Sequence, residues 1–342
     1  MDLTYTEILD TCSALKKTKD YLENTWDKVE TVLRDKKRCI FIGCGSSYSL
    51  AKSMALMIQT ETGLSSSAMA AGDVLLHAVR YAKFFDGAAI VCISRSGRTS
   101  ELLLALDALK SGGYSFSTVS LVNADDTPLA AKSDFTISTP WAFDTSVCQT
   151  RSVSNFYFMA AYITAKMSNN HVLLEELEHI IDNGMEFLKK AEALADELSE
   201  RPWTHCVVLA DAEMEGIAEE GALAFKEICQ LLSNYYHLLD LRHGPMVLVG
   251  KETLVLAALG VKNELEYKLV SDVKAKNADV VTFSDMLGEP AGTFDLFYGH
   301  PLSQIAKGIP FILLCQMVAY KKSKKTGADP DKPTGLEAWI AL

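Results

Sequence analysis

Positive charge is scarce in this chain. Its 342 residues include 33 Lys and Arg against 44 Asp and Glu, which leaves a formal net charge of −11. This balance disfavours nucleic acids and anionic membrane surfaces as main partners. The sequence starts MDLTYTE, with neither a basic leader nor an apolar signal core, and no run of about 18 uncharged apolar residues follows. We therefore expect a cytoplasmic protein with no nucleic-acid partner and no membrane partner.

Paired cysteines are also lacking. The eight cysteines are spread through apolar stretches, and no two of them form a CxxC pair. This spacing is typical of reduced, buried thiols and not of a disulfide framework or a zinc site. We expect no metal and no redox cofactor. Apolar residues make up 49% of the chain, which is ample for the cores of two domains.

Two stretches in the first half share one pattern. An apolar run, Ile40–Ile42 or Ile90–Ile93, leads into a turn rich in glycine and hydroxyls, Gly43–Ser47 or Ser94–Thr99, and helical periodicity follows. Backbone N–H groups at a helix N-terminus, together with nearby hydroxyls, favour an anion. The two turns therefore predict a phosphate site whose hydroxyls come from Ser46, Ser47, Ser94, Ser96 and Thr99.

The second of these turns also carries Arg95 and Arg98. An acidic protein must supply the positive potential of a phosphate site locally. Either guanidinium could bind phosphate or a substrate carboxylate through two N–H groups. Either could equally point to solvent, and the sequence does not decide between the two.

The order of the apolar runs predicts a duplicated α/β fold. Residues 1–35 have an amphipathic helical pattern, and we place an N-terminal helix over 1–25. Strands alternate with helical patterns, and equivalent strands of the two halves lie about 165 residues apart, which indicates two domains at 26–175 and 190–342. Each domain is predicted to be a doubly wound parallel sheet flanked by helices, a flavodoxin-like three-layer sandwich. The predicted strands are Cys39–Gly43, Ala88–Ile93, Phe116–Val122, Phe135–Ser138, Cys206–Ala210, Thr253–Ala258, Val280–Phe283 and Phe294–Phe297.

The halves differ in their turns and in one helix start. The turn after the first strand of the second half, Asp211–Gly216, is acidic and unsuited to phosphate. We therefore expect one phosphate site, built in the N-terminal half and completed by groups from the C-terminal half. The last apolar helix is predicted over Pro310–Ala319, with its proline in the first turn.

Four motifs occur in order and resemble those of double sugar-isomerase (SIS) domain proteins. They are Gly43–Tyr48, Ser94–Thr99, Glu220–Ile228 and Arg242–Pro245, and a tail Asp329–Pro333 follows. The family includes the isomerase half of glucosamine-6-phosphate synthase, SIS-type glucosamine-6-phosphate deaminases, tagatose-6-phosphate isomerase-like proteins and fructosamine-6-phosphate deglycases. The resemblance spans residues 25–342 and implies two tandem SIS domains acting on a phosphorylated sugar.

The resemblance also implies roles for individual residues. Ser94, Ser96 and Thr99 match the family's phosphate turn, and Ser46 and Ser47 match its other substrate-facing hydroxyls. Glu227 matches the glutamate that moves a proton between C1 and C2 of the open-chain sugar, and His243 matches a histidine that assists ring opening or protonates a leaving group. In the family this histidine comes from the neighbouring subunit, which implies a homodimer or a dimer of dimers with shared active sites. Further candidate residues are Arg98, Val147, Arg151, Glu220 and His300.

Chemistry alone gives a weaker case for the same residues. Glu220 and Glu227 are seven positions apart, so they share one face of a helix, and that face could simply be solvated. A partly desolvated carboxylate can act as a general base. His243 precedes Gly244-Pro245, a turn that would hold its imidazole on a loop.

Two departures from the family pattern leave the reaction open. No lysine follows Lys332 in the tail Pro333–Trp339, and Ala224 replaces a lysine one helical turn before Glu227. Lysine-assisted isomerisation is therefore in doubt, and Glu227 with His243 remains as the acid–base pair. The primary hypothesis is an aldose–ketose isomerase or deaminase acting on an (amino)sugar 6-phosphate. The alternatives are a fructosamine-6-phosphate deglycase and a non-catalytic sugar-phosphate sensor. A dinucleotide site is disfavoured because Tyr48 occupies the third glycine position of its motif.

Overall fold

The computed structural model describes residues 2–33, 36–260, 264–338 and 342. Within them the chain forms two parallel five-stranded sheets flanked by helices, which confirms the predicted α/β class. The strands are β1 (Arg38–Gly43), β2 (Ser66–Ala70), β3 (Ala88–Ser94), β4 (Ser117–Val122), β5 (Phe135–Ser138), β6 (His205–Leu209), β7 (Leu232–Tyr236), β8 (Thr253–Ala258), β9 (Asp279–Ser284) and β10 (Phe294–Phe297).

The α-helices and the short 3-10 helices separate these strands. The α-helices are α1 (Leu3–Leu9), α2 (Thr11–Leu33), α3 (Ser46–Thr62), α4 (Ala71–Leu76), α5 (Ala78–Phe85), α6 (Ser100–Ser111), α7 (Pro128–Lys132), α8 (Arg151–Ser168), α9 (His171–Ser199), α10 (Glu215–Ile228), α11 (Glu264–Lys274) and α12 (Gln304–Thr326). The 3-10 helices are Pro140–Ala142, Ala212–Met214, Leu239–Arg242 and Pro245–Leu248.

Both sheets have the same strand order. The first reads β2-β1-β3-β4-β5 and the second, from its other edge, reads β7-β6-β8-β9-β10. In each sheet the chain winds outward from the first strand to one side and then returns to wind to the other. The winding direction therefore changes between β1 and β3 in the first sheet and between β6 and β8 in the second. Doubly wound folds bind their ligands at such a switch point, where the loops after the two strands diverge. The shared order confirms the two tandem domains predicted from the repeat.

The central strands carry the cores. All seven residues of β3 and all six of β8 are buried, as expected for strands covered by helices on both faces. In the first sheet Ile90 clusters with Leu106 of α6, and in the second Val255 clusters with Leu269 of α11. These cores hold the carboxyl ends of β1, β3, β6 and β8 in fixed register.

The described residues form two compact units, each containing one sheet. The first unit comprises Ser13–Thr145, Arg151–Leu174 and Glu337–Leu342, and the second comprises Met1–Cys12, Ser146–Thr150 and Glu175–Leu336. Three short segments, Met1–Cys12, Ser146–Thr150 and Glu337–Leu342, thus belong to a different unit from the residues next to them in the chain. The domain boundaries 26–175 and 190–342 stay a prediction.

Two strands were missing from the prediction, and they are equivalent in the two sheets. β2 and β7 each form the outer edge beside the first strand of their sheet. β2 has the sequence SSAMA with every position half-buried, and β7 has the sequence LSNYY with Leu232 exposed. Backbone pairing to β1 and β6 stabilises these edge strands without a continuous apolar run.

The predicted start of the last helix was wrong. α12 begins at Gln304, and Pro310 lies inside it. Ser303 caps the helix by accepting a hydrogen bond from the Ala306 N–H, and residues 305–320 are buried. The helix therefore continues through the proline because burial of its apolar surface outweighs the lost backbone hydrogen bond.

The tail motif Asp329–Pro333 has a structural role in the second unit. The Asp331 carboxylate accepts hydrogen bonds from the backbone N–H groups of Leu3 and Thr4, both at 2.8 Å, and from the Thr4 hydroxyl at 2.9 Å. These N–H groups open α1, so Asp331 acts as its cap from 327 positions away.

The structure bears on two features considered in the sequence, membrane-spanning segments and the burial of the cysteines. Among the described residues, none of the helices combines the length and the apolar character needed to cross a membrane. Seven of the eight cysteines are buried, as the apolar context predicts, and Cys44 is half-buried.

Candidate active site

The two hydroxyl-rich turns lie side by side at the switch point of the first sheet. β1 and β3 are adjacent, with Ile42 paired to Cys92, so the turns that follow them leave the same edge. The structure thus brings the predicted phosphate-site residues to one edge of one sheet. We call the turn residues 43–47 and 94–99 the cradle.

Glycine is required where α3 meets β1. A Cβ on Gly43 would lie 2.6 Å from the Ser47 backbone carbonyl carbon, and Gly45 has a φ of +52°. The helix therefore begins immediately at Ser46, against the end of the strand. Ser46 and Ser47 are both buried in this first turn, where the positive end of the helix dipole lies.

The turn after β3 is organised by its own hydroxyls. Ser94 Oγ lies 3.0 Å from Thr99 Oγ1 and accepts a hydrogen bond from the Gly97 N–H at 3.1 Å. Ser96 Oγ accepts from the Arg98 N–H at 3.2 Å. Ser94 and Ser96 are only 3% and 7% exposed. Hydroxyls and backbone N–H groups are therefore gathered in a small, mostly desolvated volume, which strengthens their attraction to an anion.

The two arginines of this turn occupy different environments. Arg95 is buried, with its Nη2 3.1 Å from the Ala338 carbonyl oxygen and its guanidinium carbon 5.7 Å from the Phe143 ring centre. Arg98 is exposed. The solvent-facing alternative thus holds for Arg98, whereas Arg95 is held inside the first unit.

Sequence reasoning missed Asn123, which braces the turn. It follows β4 directly, and its N–H donates to the Arg95 carbonyl oxygen at 3.1 Å. Its side chain donates to Thr139 Oγ1 at 2.7 Å, and Asn155 Nδ2 donates to the same oxygen at 3.0 Å. The available signal was a polar residue at the carboxyl end of a predicted buried strand.

Arg151 supports the loop beneath Arg95. It opens α8, donates from Nη2 to the Phe143 carbonyl oxygen, and places Nε 3.8 Å from Asp144 Oδ1. Asp144 in turn accepts from the Ser152 N–H at 2.9 Å. Arg151 therefore positions Phe143, the ring against which the Arg95 guanidinium lies.

The cradle cysteine is unsuited to nucleophilic chemistry. Burial raises the pKa of the Cys44 thiol to about 11. The thiol is therefore protonated at neutral pH, when the thiolate would be the reactive form. Cys44 instead packs against the core cluster that contains Ile90 and Leu106.

The corresponding switch point of the second sheet holds the chain's own side chains. Lys307 is buried and donates from Nζ to the carbonyl oxygens of Leu259 and Gly260, at 3.2 and 3.1 Å. Glu266 accepts from the Gly260 N–H at 3.0 Å, and Asp211 accepts from the Leu238 N–H at 2.8 Å. These contacts, with the acidic turn after β6, make this edge unlike the cradle.

Glu220 and Glu227 both lie on α10, as predicted, but their burial differs. Glu220 is 1% exposed, and the adjacent Gly221 packs against Cys315 of α12. Glu227 lies in the last turn of the helix and is half-buried. The solvated-face interpretation is therefore wrong for Glu220, whereas Glu227 combines partial burial with access to solvent, as a general base needs.

His243 lies on an exposed loop, and the preceding residue, Arg242, attaches this loop to α11. Arg242 donates two hydrogen bonds to Asp272 Oδ2 of α11, at 2.9 and 2.7 Å. His243 itself is exposed, and Gly244 has a φ of +124°. The apolar side chains of Val247 and Leu248 follow at 83% and 63% exposure. The loop thus presents an imidazole and an apolar surface together.

Glu227 and His243 lie at opposite ends of β7. The last turn of α10 leads into the amino end of the strand, and His243 follows its carboxyl end. A five-residue strand separates two such positions by on the order of 15 Å. β7 and the 3-10 helix Leu239–Arg242 thus lie between Glu227 and His243 in the chain.

The remaining candidates of the second unit are engaged elsewhere. The Val147 N–H donates to the Asp331 carbonyl oxygen at 2.9 Å. His300 stacks on His179 with ring centres 3.8 Å apart, after the edge strand farthest from β7. His300 is therefore separated from Glu227 and His243 by the width of the sheet. Over the described ranges, with their gaps at 34–35, 261–263 and 339–341, no cluster of three His, Cys, Asp or Glu side chains could hold a metal ion.

Fold and geometry together define a duplicated doubly wound protein with hydroxyl-rich turns at the switch point of its first sheet. Residues 32–167 match the SIS domain family. The chain is 25% identical over 320 residues to glutamine–fructose-6-phosphate aminotransferase (isomerizing) of Vibrio cholerae serotype O1, covering 88% of this chain and 51% of that protein. It thus spans about half the length of the curated relatives it matches.

Solved structures with the same fold cover the whole chain. Glucosamine-6-phosphate deaminase from Thermotoga maritima has a TM-score of 0.83 and 27% identity, covering 100% of both chains. Tagatose-6-phosphate ketose/aldose isomerase from Escherichia coli has a TM-score of 0.85 at 20% identity, covering 99% and 97%. Residues 32–167 thus form an SIS domain, and the fold of the chain is that of two tandem SIS-like domains.

Proposed function

We propose that this protein is an aldose–ketose isomerase or deaminase that acts on an (amino)sugar 6-phosphate. The observation that carries the proposal is the cradle, in which the turn with Ser94, Ser96 and Thr99 and the turn with Ser46 and Ser47 leave adjacent strands at a switch point. The four serines are buried. The names of the relatives support the substrate class, because each contains a hexose 6-phosphate.

The proposed chemistry divides between the cradle and Glu227. The phosphate would be held by the cradle, which leaves the open-chain carbons at the other end of the substrate for acid–base groups. Glu227 would take the proton from C2 and return it to C1, which converts an aldose to a ketose with no change in composition. For a 2-amino sugar the same transfer gives an imine at C2, and addition of water then releases ammonia.

His243 would act as the acid for ring opening or for the departing amine. Its separation from Glu227 along β7 supports the interpretation that the imidazole comes from a partner subunit. The exposed Val247 and Leu248 beside it support a subunit contact at this loop. We therefore propose a homodimer, or a dimer of dimers, with shared active sites.

A deglycase is the second candidate, and a specific feature favours it. Ala224 and the lysine-free tail after Lys332 remove the amines that a synthase-type isomerase would use. Proton transfer by Glu227 with an acid at His243 would still suffice to release an amino acid from a fructosamine 6-phosphate.

Product analysis on two substrates tests the proposal. The wild-type chain is incubated with glucosamine 6-phosphate and with a fructosamine 6-phosphate, and ammonia, fructose 6-phosphate and free amino acid are measured. Ammonia with fructose 6-phosphate from the first substrate is the expected result. Amino acid from the second alone would establish the deglycase. Binding of both without any product would contradict an enzyme and favour a sugar-phosphate sensor.

A further inference from the structure

The cradle is in contact with the C-terminal end of the chain. Arg95 Nη2 donates to the Ala338 carbonyl oxygen at 3.1 Å, and the Leu342 N–H donates to Ser100 Oγ at 3.2 Å. Ala338 and Leu342 belong to the first unit, although residues 175–336 belong to the second. We call residues 337, 338 and 342 the C-terminal segment.

The two hydrogen bonds bracket the phosphate turn. Arg95 is its second residue, and Ser100 follows its last residue as the first residue of α6. The C-terminal segment is therefore attached on both sides of the hydroxyls that would hold the phosphate. Arg95 is 5% exposed. Its guanidinium contacts Ala338 and the Phe143 ring, and its backbone carbonyl oxygen accepts a hydrogen bond from the Asn123 N–H.

A buried guanidinium is costly unless it is hydrogen-bonded or charge-compensated. Here the Phe143 ring and the Ala338 carbonyl oxygen provide part of that stabilisation. A phosphate dianion in the same turn would add the opposite charge. Phosphate binding and attachment of the C-terminal segment would then stabilise the same side chain, and such coupling is reciprocal.

We propose that Arg95 is a positioning residue that fastens the C-terminal segment to the cradle and couples its attachment to phosphate occupancy. The proposal rests on the proposed function, since it takes the cradle as a phosphate site. It assigns Arg95 a role different from that of Arg98, which belongs to the same turn but is exposed. Arg98 therefore provides a matched control.

The test combines amide hydrogen exchange with phosphate affinity. Exchange at residues 337–342 is followed in the full chain with and without inorganic phosphate, and the phosphate Kd is measured by calorimetry. For Arg95→Gln we expect faster exchange at this end of the chain, loss of the slowing caused by phosphate, and a Kd raised about tenfold. For Arg98→Gln we expect wild-type exchange at residues 337–342. A thermal melt of each variant confirms that it is folded.

A second variant keeps the test decisive if Arg95→Gln does not fold. Deletion of residues 337–342 should weaken phosphate binding, and in a folded Arg95→Gln background it should add little, because both changes remove one interaction. Unchanged phosphate affinity after the deletion, or unchanged exchange in Arg95→Gln, would overturn the proposal. If the wild type binds no phosphate, the proposed function fails, whereas exchange without phosphate still tests the attachment itself.

Discussion

Glu227 differs from the other carboxylates of α10 in the combination of its position and its burial. It lies in the last helical turn and is half-buried, whereas Glu220 is enclosed. We predict that Glu227→Gln lowers kcat about 100-fold or more, because an amide of the same shape cannot accept the substrate proton. Turnover of the phosphosugar and binding of inorganic phosphate are measured on the same preparation, and the binding should match the wild type.

Glu219→Gln is the control for that experiment. It makes the same change on the same helix at another half-buried position. It should retain turnover, since nothing assigns Glu219 to the reaction. Full activity in Glu227→Gln would remove the general base from the proposal, whereas equal losses in both variants would indicate a helix-wide structural effect.

From the stacked pair of His179 and His300 we predict how the free energy of unfolding depends on pH. Burial, followed by the neighbouring His300, lowers the pKa of His179 below its usual value near 6.5. The unfolded chain therefore binds the proton more readily than the folded chain. The free energy of unfolding should fall as pH decreases from about 6.5 through the lowered folded pKa.

Urea unfolding of the wild type and of His179→Asn between pH 7.5 and 5.5 measures this contribution. As the pH falls to 5.5, the free energy of unfolding of the wild type should decrease more than that of His179→Asn. Parallel profiles would contradict the prediction. Glu176 is also close to His300, and burial raises its pKa, so its own effect has the opposite sign and is removed by taking the difference between the two proteins.

At the scale of elements, the cap of α1 connects the two ends of the second unit. Asp331 accepts from Leu3 and Thr4 across nearly the whole sequence. We predict that Asp331→Ala lowers the free energy of unfolding by about 1–2 kcal/mol, the usual cost of losing an N-terminal cap. Asp331→Asn should lose less because it keeps one acceptor oxygen. The exposed neighbour Lys332 supplies the control Lys332→Ala, and equal Tm values for the alanine variants would contradict the role of the cap.

The elements that could be predicted are those with a strong local signal. All eight predicted strands are present within one or two residues of their bounds, because each is an apolar run between turn residues. β2 and β7 escaped because an edge strand is stabilised by backbone pairing with one neighbour and need not be apolar. The start of α12 escaped because its burial outweighs the local signal of Pro310, and burial is a property of the fold.

The site could be predicted only where its parts are local. The cradle residues follow two strands directly, so the sequence places them at one sheet edge. The contact of Arg95 with Ala338 joins residues 243 positions apart, and no local pattern encodes it. The position of His243 relative to Glu227 depends on β7, which lies between them in the chain, and the sequence did not predict this strand.

At the scale of the whole molecule, duplication has produced two equivalent edges with different contents. The first switch point has hydroxyls and helix N-termini, and the second is occupied by Lys307, Glu266 and Asp211 of the chain itself. A second anion site is therefore disfavoured in the C-terminal half. That half instead carries Glu227 and the His243 loop, which the proposed function uses as acid–base groups.

Subunit mixing tests whether the proposed active site uses Glu227 of one chain and His243 of another. Glu227→Gln and His243→Asn variants are each expected to be inactive. If His243 acts in the partner's site, a mixed dimer contains one site with both native residues and one with neither. Random exchange of subunits gives mixed dimers as half of the population, so activity should return to roughly a quarter of the wild-type value.

The alternative predicts a different result for the same mixture. If both residues acted within one chain, every site would carry one substitution and mixing would restore nothing. Val247→Asp provides a further variant in which the subunit contact itself is changed. A charge at this exposed apolar position should disrupt that contact. In that background we expect a monomer by light scattering and no recovery of activity on mixing. Wild-type activity of the monomeric Val247→Asp single variant would exclude a shared site, and recovery on mixing only in the dimer would establish that His243 acts across the subunit contact.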